Sequence, residues 1–313
     1  MLGKTAGGLL WMFRYLERAE NLARLVDTGQ RIALTRPDRS SSEWTSVLHT
    51  AATKHAFDAN HDAVTGEAVI DWILRGRDNP GSVVSCIDAA RMNGRLVRTA
   101  LTREVWEAVN EAWMTVTSLL SRRIATRDLP AVLNTIRQRS AFVRGTLHGT
   151  MLRDEAYDFS RLGTFLERAD ATARLLDVKY YVLLPSAAGV GSQLDNAQWE
   201  VILRGVSAEG SFRQTYGQQR RPALIAKFLI LDNRMPRSLA FCYSKIAGNL
   251  DWLHRAHGLR LPSQDLSQDM ANRLSRATIE SIFDEGLHSF LQDFMHRNAS
   301  LGAQIERDYR FSA

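Results

Sequence analysis

Two short segments place carboxylates and guanidinium groups at helical spacing. The first runs Glu17-Arg18-Ala19-Glu20-Asn21-Leu22-Ala23-Arg24-Leu25-Val26-Asp27 and the second Glu167-Arg168-Ala169-Asp170-Ala171-Thr172-Ala173-Arg174-Leu175-Leu176-Asp177. Arginine forks bind a carboxylate or phosphate at two points. A carboxylate held near them could accept an amine, or a proton if burial tuned its pKa. In the first segment Arg14, Glu17, Asn21 and Arg24 fall in one line at steps of 3, 4 and 3, and Glu20 can pair with Arg24 one turn on. The first set of candidate ligand- or partner-binding residues is therefore Arg14, Glu17, Arg18, Glu20 and Arg24, with Glu167, Arg168, Asp170 and Arg174.

Two readings of these residues stand side by side. Either they form ion pairs, on a solvated face or in the interior between packed helices, or they line a cleft. In that cleft Glu17, Glu20, Glu167 and Asp170 would face Arg18, Arg24, Arg168 and Arg174. A metal centre fits poorly. Di-iron bundles use Glu-x-x-His, whereas Glu17-x-x-Glu20 and Glu167-x-x-Asp170 lack the histidine, and the nearby arginines would compete with a cation. Neither a metal nor another cofactor is expected.

A second constellation joins Asn79-Pro80-Gly81-Ser82 to Arg91, Asn93, Arg98, Trp106 and Asn110. Asn79 before Pro80 reads as a helix N-cap, and an open helix N-terminus offers backbone N–H groups to an anion. Arg91 and Arg98, seven residues apart, would share a side of that helix. The alternative is an ordinary cap with exposed arginines. The eight histidines are scattered, and nucleophile-elbow, P-loop and dinucleotide motifs are missing. Gly189-Val190-Gly191-Ser192 reads as a linker.

The elements that must position these groups are helices. Low proline (7 of 313 residues, against a usual ~5%) and abundant Ala, Leu and Arg point that way. Helical periodicity is widespread and strand alternation nearly missing. In the first helix Trp11, Met12, Tyr15, Ala19, Leu22, Ala23 and Val26 share one apolar face, while Leu10 and Phe13 make its first turns apolar nearly all round. The charged line thus enters a crowded interior. After Thr102, a good N-cap followed by Glu104, the residues Trp106, Val109, Trp113, Val116 and Leu120 line another face. Asp195…Gln198 and Asp265…Gln268 resemble capping boxes, and Pro236 stands at a helix start. Breaks near 36–42, 75–80, 185–195, 217–222 and 258–264 divide the chain into about ten helices, an all-α bundle.

The chain also repeats itself. The two Glu-Arg segments share seven of eleven residues at an offset of 150. Trp44, Leu48 and Phe57 match Trp199, Leu203 and Phe212 at 155, and Pro80, Ser82, Cys86 and Asn93 match Pro236, Ser238, Cys242 and Asn249 at 156. Ordered matches with so little drift predict an internally duplicated unit, 1–150 and 151–313, packed as one body with pseudo-twofold symmetry. The two cysteines, at matching apolar places, read as core residues.

A net charge of +6 spread without a basic stripe argues against nucleic-acid binding. No apolar run is long enough for a membrane span. With two cysteines and no legible secretory leader, a reducing cytoplasm is the expected compartment.

The stretch Met1–Asn21, with Arg24, resembles the opening of the bacterial Alpha-E domain family. Asn79–Ser82, Ala90-Arg91, Asn93, Arg98, Trp106 and Asn110 match its next motif, and Phe165–Arg168 its later Glu-Arg motif. Gly94, where the family often has alanine, and Arg103-Glu104, where it commonly has Arg-Asp, depart from the pattern. The resemblance implies an all-helical fold whose genes lie beside, or are fused to, a circularly permuted ATP-grasp protein, with a transglutaminase-like peptidase nearby. ATP-grasp enzymes join a carboxylate to an amine through an acyl-phosphate. The implied role is an accessory or substrate-positioning component of such an amide-ligase system, binding an acidic small molecule, a peptide or the partner through its Glu-Arg helices. Two alternatives remain: an enzyme using Glu17 or Glu167 as general acid/base in amide transfer or hydrolysis, and a purely structural scaffold.

Overall fold

The computed structural model describes residues 1–35, 40–183, 193–219 and 221–311, without the side chains at 35, 40, 178–183 and 193–197. The expected linker at 189–192 lies outside the described residues. Within them the chain is all-helical. Fifteen α-helices run in order: α1 (Gly3–Thr35), α2 (Ser40–Thr50), α3 (Lys54–Asp58), α4 (Gly66–Arg75), α5 (Val83–Leu96), α6 (Arg103–Leu119), α7 (Leu129–Thr150), α8 (Glu155–Leu183), α9 (Gln193–Gly205), α10 (Glu209–Tyr216), α11 (Pro222–Leu231), α12 (Leu239–His257), α13 (Pro262–Arg276), α14 (Ile279–Glu285) and α15 (Leu287–Asp308). The sequence suggests about ten because α3, α4, α10, α11 and α14 have ten residues or fewer, too few turns for a clear period.

Two long helices carry the site. α1 has 33 residues and α8 has 29, and they pack chiefly on each other. α5 and α7 flank α1, α12 and α15 flank α8, and α2 and α9 touch both. Being covered on several sides, α1 buries more than one stripe: Leu9, Leu10, Met12, Phe13 and Leu16 are all sealed. A helix so enclosed forces its polar residues into the interior with it. The two backbones meet at Gly163, where a Cβ would stand 2.1 Å from the Leu10 carbonyl oxygen. Only glycine permits that approach, which brings the Glu-Arg segments, about one turn further along α8 and two along α1, into register.

Several local expectations shift. Ser82, not Asn79, caps α5, accepting from Ser85 N, while Asn79 Oδ1 accepts from Gly81 N to form the preceding turn. Ser238 likewise caps α12, two residues after Pro236. In both, the N-cap serine hydroxyl accepts the backbone N–H three residues on, the favoured capping geometry. Thr102 does cap α6, but the buried face of α6 is Val105, Ala108, Val109, Ala112 and Val116, leaving Trp106 and Trp113 at its edge. The cap expected around Asp265 lies four residues earlier, where Gln264 accepts from Leu261 N at the start of α13. Asp195 falls inside α9, and its side chain is outside the described residues. Cys86 and Cys242 are free, buried core residues whose thiols burial pushes up to about 12, so neither is a nucleophile at neutral pH.

Candidate functional site: a cavity between two Glu-Arg helices

The Glu-Arg segments meet by exchanging partners. Glu17 of α1 takes the Arg168 fork, Nε to Oε1 at 2.9 Å and Nη2 to Oε2 at 3.0 Å. Glu167 of α8 takes the Arg18 fork, Nε to Oε1 at 2.6 Å and Nη2 to Oε2 at 2.8 Å. Each carboxylate thus answers the guanidinium of the other helix, in the bidentate geometry that makes charge-assisted bonds strong.

Further arginines close round them. Arg144 from α7 donates to Glu17 Oε2 at 3.1 Å and pairs with Glu20. Arg237, just before α12, donates to Glu17 Oε1 at 3.1 Å, to Asn21 Oδ1 at 2.8 Å and to Glu20. Arg24 forks onto Glu20 at 3.0 and 2.8 Å and reaches the Gly205 carbonyl and Ser207 hydroxyl. Arg14 adds a bond of 3.2 Å to Glu167, and Arg174 binds Asp170 at 2.6 Å. Glu17 and Glu20 are sealed, and Glu167 and Arg168 nearly so.

Burial alone would raise the Glu17 pKa, yet Arg168, Arg144 and Arg237 outweigh it and hold the carboxylate far below its usual range. Glu20 and Glu167 also stay low, burial being overcome by Arg237, Arg144 and Arg24 for the one and by Arg18 and Arg14 for the other. Burial tends to lower Arg18 and Arg168 but their carboxylate partners raise both, whereas burial prevails at Arg237 and brings it down to about 10. All of these groups are charged at neutral pH. Carboxylates so firmly ionised are weak proton acceptors.

Beside this network lies a cavity of about 400 Å³. Asn21, Leu22, Arg24 and Leu25 line one wall and Ala171, Thr172, Arg174 and Leu175 another, the same four positions displaced by 150 residues. Thr50–Thr53, Gly205-Val206 and Asn79–Gly81 complete it, with Arg18, Glu167, Asp170 and Arg237. Its charged lining is four arginines against two carboxylates, an excess of positive charge beside apolar walls. That suits an anion with an apolar part.

The candidates from the first set thus come together, but unequally. Arg18, Arg24, Glu167, Asp170 and Arg174 line the cavity, while Arg14, Glu17, Glu20 and Arg168 stand behind it and do not. Arg91, Asn93 and Arg98 belong elsewhere. Arg91 donates to Asn110 Oδ1 at 2.9 Å and stacks on Trp113, Asn93 donates to the Ala89 carbonyl, and Arg98 lies over Trp106. At the α5 N-terminus the Ser82 hydroxyl takes up the Ser85 N–H. Sequence reasoning missed Arg144 and Arg237. Arg144 carries no local signal. The only clue to Arg237 was the match of Pro236 and Ser238 with Pro80 and Ser82. Among the described residues no His, Cys, Asp and Glu side chains converge as a metal site, and no helix is long and apolar enough to cross a membrane.

Fold and site together define an all-helical protein organised around facing Glu-Arg helices. The chain belongs to the Alpha-E family, described as a predicted alpha-helical domain with a conserved ER motif, whose model matches residues 1–309. It is similar to an uncharacterized protein of Mycobacterium bovis, 24% identical over 93% of this chain and 35% of that one. Two uncharacterized proteins of Mycobacterium tuberculosis are similar to the same extent, at 24% and 23% identity. The chain therefore spans about a third of the length of these curated relatives. No solved structure matches it.

Proposed function

We propose that this domain is a substrate-positioning component working beside an ATP-grasp amide ligase, and that it seats an acidic small molecule or peptide in the cavity between α1 and α8. The observation that carries this is the lining of Arg18, Arg24, Arg174 and Arg237 against Glu167 and Asp170. Each lining arginine already has a carboxylate partner, but with the residues behind the wall the network sets seven arginines against four carboxylates. That positive excess beside an apolar wall favours an anionic guest, and desolvation strengthens each arginine–carboxylate contact. A carboxylate-bearing compound is also the kind of substrate an ATP-grasp enzyme activates. The ATP-grasp protein is the proposed partner, with a transglutaminase-like protein as a further one. The placing of four matched positions on opposite walls supports a duplicated origin for halves 1–150 and 151–313, with the cavity on their pseudo-twofold axis.

A specific observation favours the scaffold reading for one part of the network. Glu17 is sealed and holds four hydrogen bonds from three arginines, so its work is to fix the helices. The general-base reading has less support, because Glu17 does not reach the cavity and Glu167 is held low by Arg18 and Arg14.

The test is co-purification of the full chain with its cognate ATP-grasp protein, and ligation rates with and without the chain. A complex and a chain-dependent rate are expected. Equal rates and no complex would sink the proposal.

A further inference from the structure

A second groove of about 400 Å³ lies between the start of α8 and α12, away from the Glu-Arg network. Arg153, Asp158, Arg161, Lys245, Asn249 and Trp252 are among its lining. Its chemistry centres on Asp158. This residue is only 8% exposed, yet among the described residues its carboxyl has neither a hydrogen bond nor an ion pair. It has no capping duty, because Asp154 already accepts from Ala156 N and Tyr157 N. Burial, with Asp154 and Glu155 nearby, pushes its pKa up to about 7 against the pull of Arg161. A buried carboxyl without a donor is costly to keep, and an incoming N–H would relieve that cost.

The surrounding cations are under-used in the complementary sense. Lys245 lies over the Phe241 ring and, among the described residues, has no carboxylate partner. Arg161 lies over the Tyr157 and Phe165 rings and hydrogen-bonds through Nη1 to the Tyr157 hydroxyl and the His148 ring, leaving Nε and Nη2 without acceptors among the described residues. Arg153 spends its donors on the Met151 and His148 carbonyls but adds positive potential. The groove therefore pairs a lone acceptor for an ammonium or amide N–H with three cations that call for acids. Trp252, 62% exposed at the edge with Arg255 over its ring, offers an indole to the groove.

We propose that this groove is a second ligand site, specific for a small acidic zwitterion of the amino-acid or dipeptide class. The ammonium is held by Asp158 and the carboxylates by Arg161 and Lys245. Three cations against one carboxylate balance a ligand with more acid groups than amines, which sets acidic amino acids above neutral ones.

The test titrates the full chain with L-glutamate, glutarate and inorganic phosphate by calorimetry and tryptophan emission. L-glutamate is expected to saturate, with an emission change that Trp252→Phe removes. Asp158→Asn is expected to weaken L-glutamate by at least ~tenfold, the loss of one charge-assisted bond, and to leave glutarate unchanged. Lys245→Met should weaken both. Gly81→Arg, directed at the central cavity, should change neither. The proposal is overturned if L-glutamate fails to saturate by ~10 mM, if phosphate alone binds, or if Asp158→Asn leaves L-glutamate affinity intact. Loss of binding in Gly81→Arg alone would also overturn it, by assigning the ligand to the central cavity.

Discussion

Gly81 and Arg237 hold the same place in two matching Pro-x-Ser segments, and this difference separates the two Glu-Arg pairs. Arg237 reaches back over Glu17 and Glu20, sealing the Glu17–Arg168 pair. Gly81 has no side chain to do likewise, and the Arg18–Glu167 pair lines the cavity next to it. One pair is thereby a structural clamp and the other a wall of the candidate site.

Gly81→Arg should therefore fill the cavity while leaving the fold intact. A Cβ at position 81 meets only Asn79 Oδ1, at 3.3 Å, a side-chain atom that must yield by a few tenths of an ångström. The expected outcome is a Tm within a few degrees of the parent and loss of the proposed effect on ligation. An unchanged effect would separate the cavity from the function.

Glu17→Gln should be strongly destabilising. It leaves Arg168, Arg144 and Arg237 facing a neutral amide in the interior, and breaking a buried ion pair from one side costs about 3–5 kcal/mol. Glu167→Gln should cost less, because Arg18 is 30% exposed and can turn to solvent. Chemical denaturation of the two variants checks the order. Adding Arg237→Met to Glu17→Gln should recover part of the loss, as expected of residues in one network.

Acid should unfold the protein through the same carboxylates. Glu17 and Glu167 have pKa values below their unfolded value of 4.5, so the unfolded chain binds more protons as pH falls past that point. Their contribution is complete above pH 4.5 and is lost as pH drops through the folded-state values. Thermal melts from pH 6 to pH 2 should show a steep fall that Glu17→Gln flattens.

Asp158 should act with the opposite sign. Its pKa is raised from 3.8 to about 7, so the folded state binds more protons between those values, and its stabilising share is lost as pH rises through 7. Asp158→Asn, which removes the charge, is expected to melt higher than the parent at pH 8, by ~3 °C, and to match it near pH 4. Arg161, Asp154, Glu155 and Tyr309 act on this group and stay in place in the variant. Equal melts at pH 8 would show that Asp158 carries no burial penalty.

Gly163→Ala tests the packing that sets the register of α1 and α8. With a Cβ 2.1 Å from the Leu10 carbonyl, the helices must separate, at a cost of about 1–3 kcal/mol for overpacking. Helix propensity alone would favour alanine, so a stabilised variant would contradict the close approach.

Much of this protein follows from local pattern. The helical class, the two Glu-Arg segments, their 150-residue offset and the crowding of polar groups on α1 into an apolar surround are properties of spacing and residue type along the chain. The pairing of Arg24 with Glu20 and of Arg174 with Asp170 is equally local, one turn apart on a helix.

Tertiary docking decided the rest. Arg144 and Arg237 reach Glu17 across separations of 127 and 220 residues, and no periodicity reports such contacts. Whether an Arg-Glu stripe becomes a clamp or a cavity wall depends on what the neighbouring segment inserts, a guanidinium at 237 and nothing at 81. Long-range contacts are set by how whole helix faces fill space, so chemistry carried by matching residues diverges where a single side chain changes the packing around them.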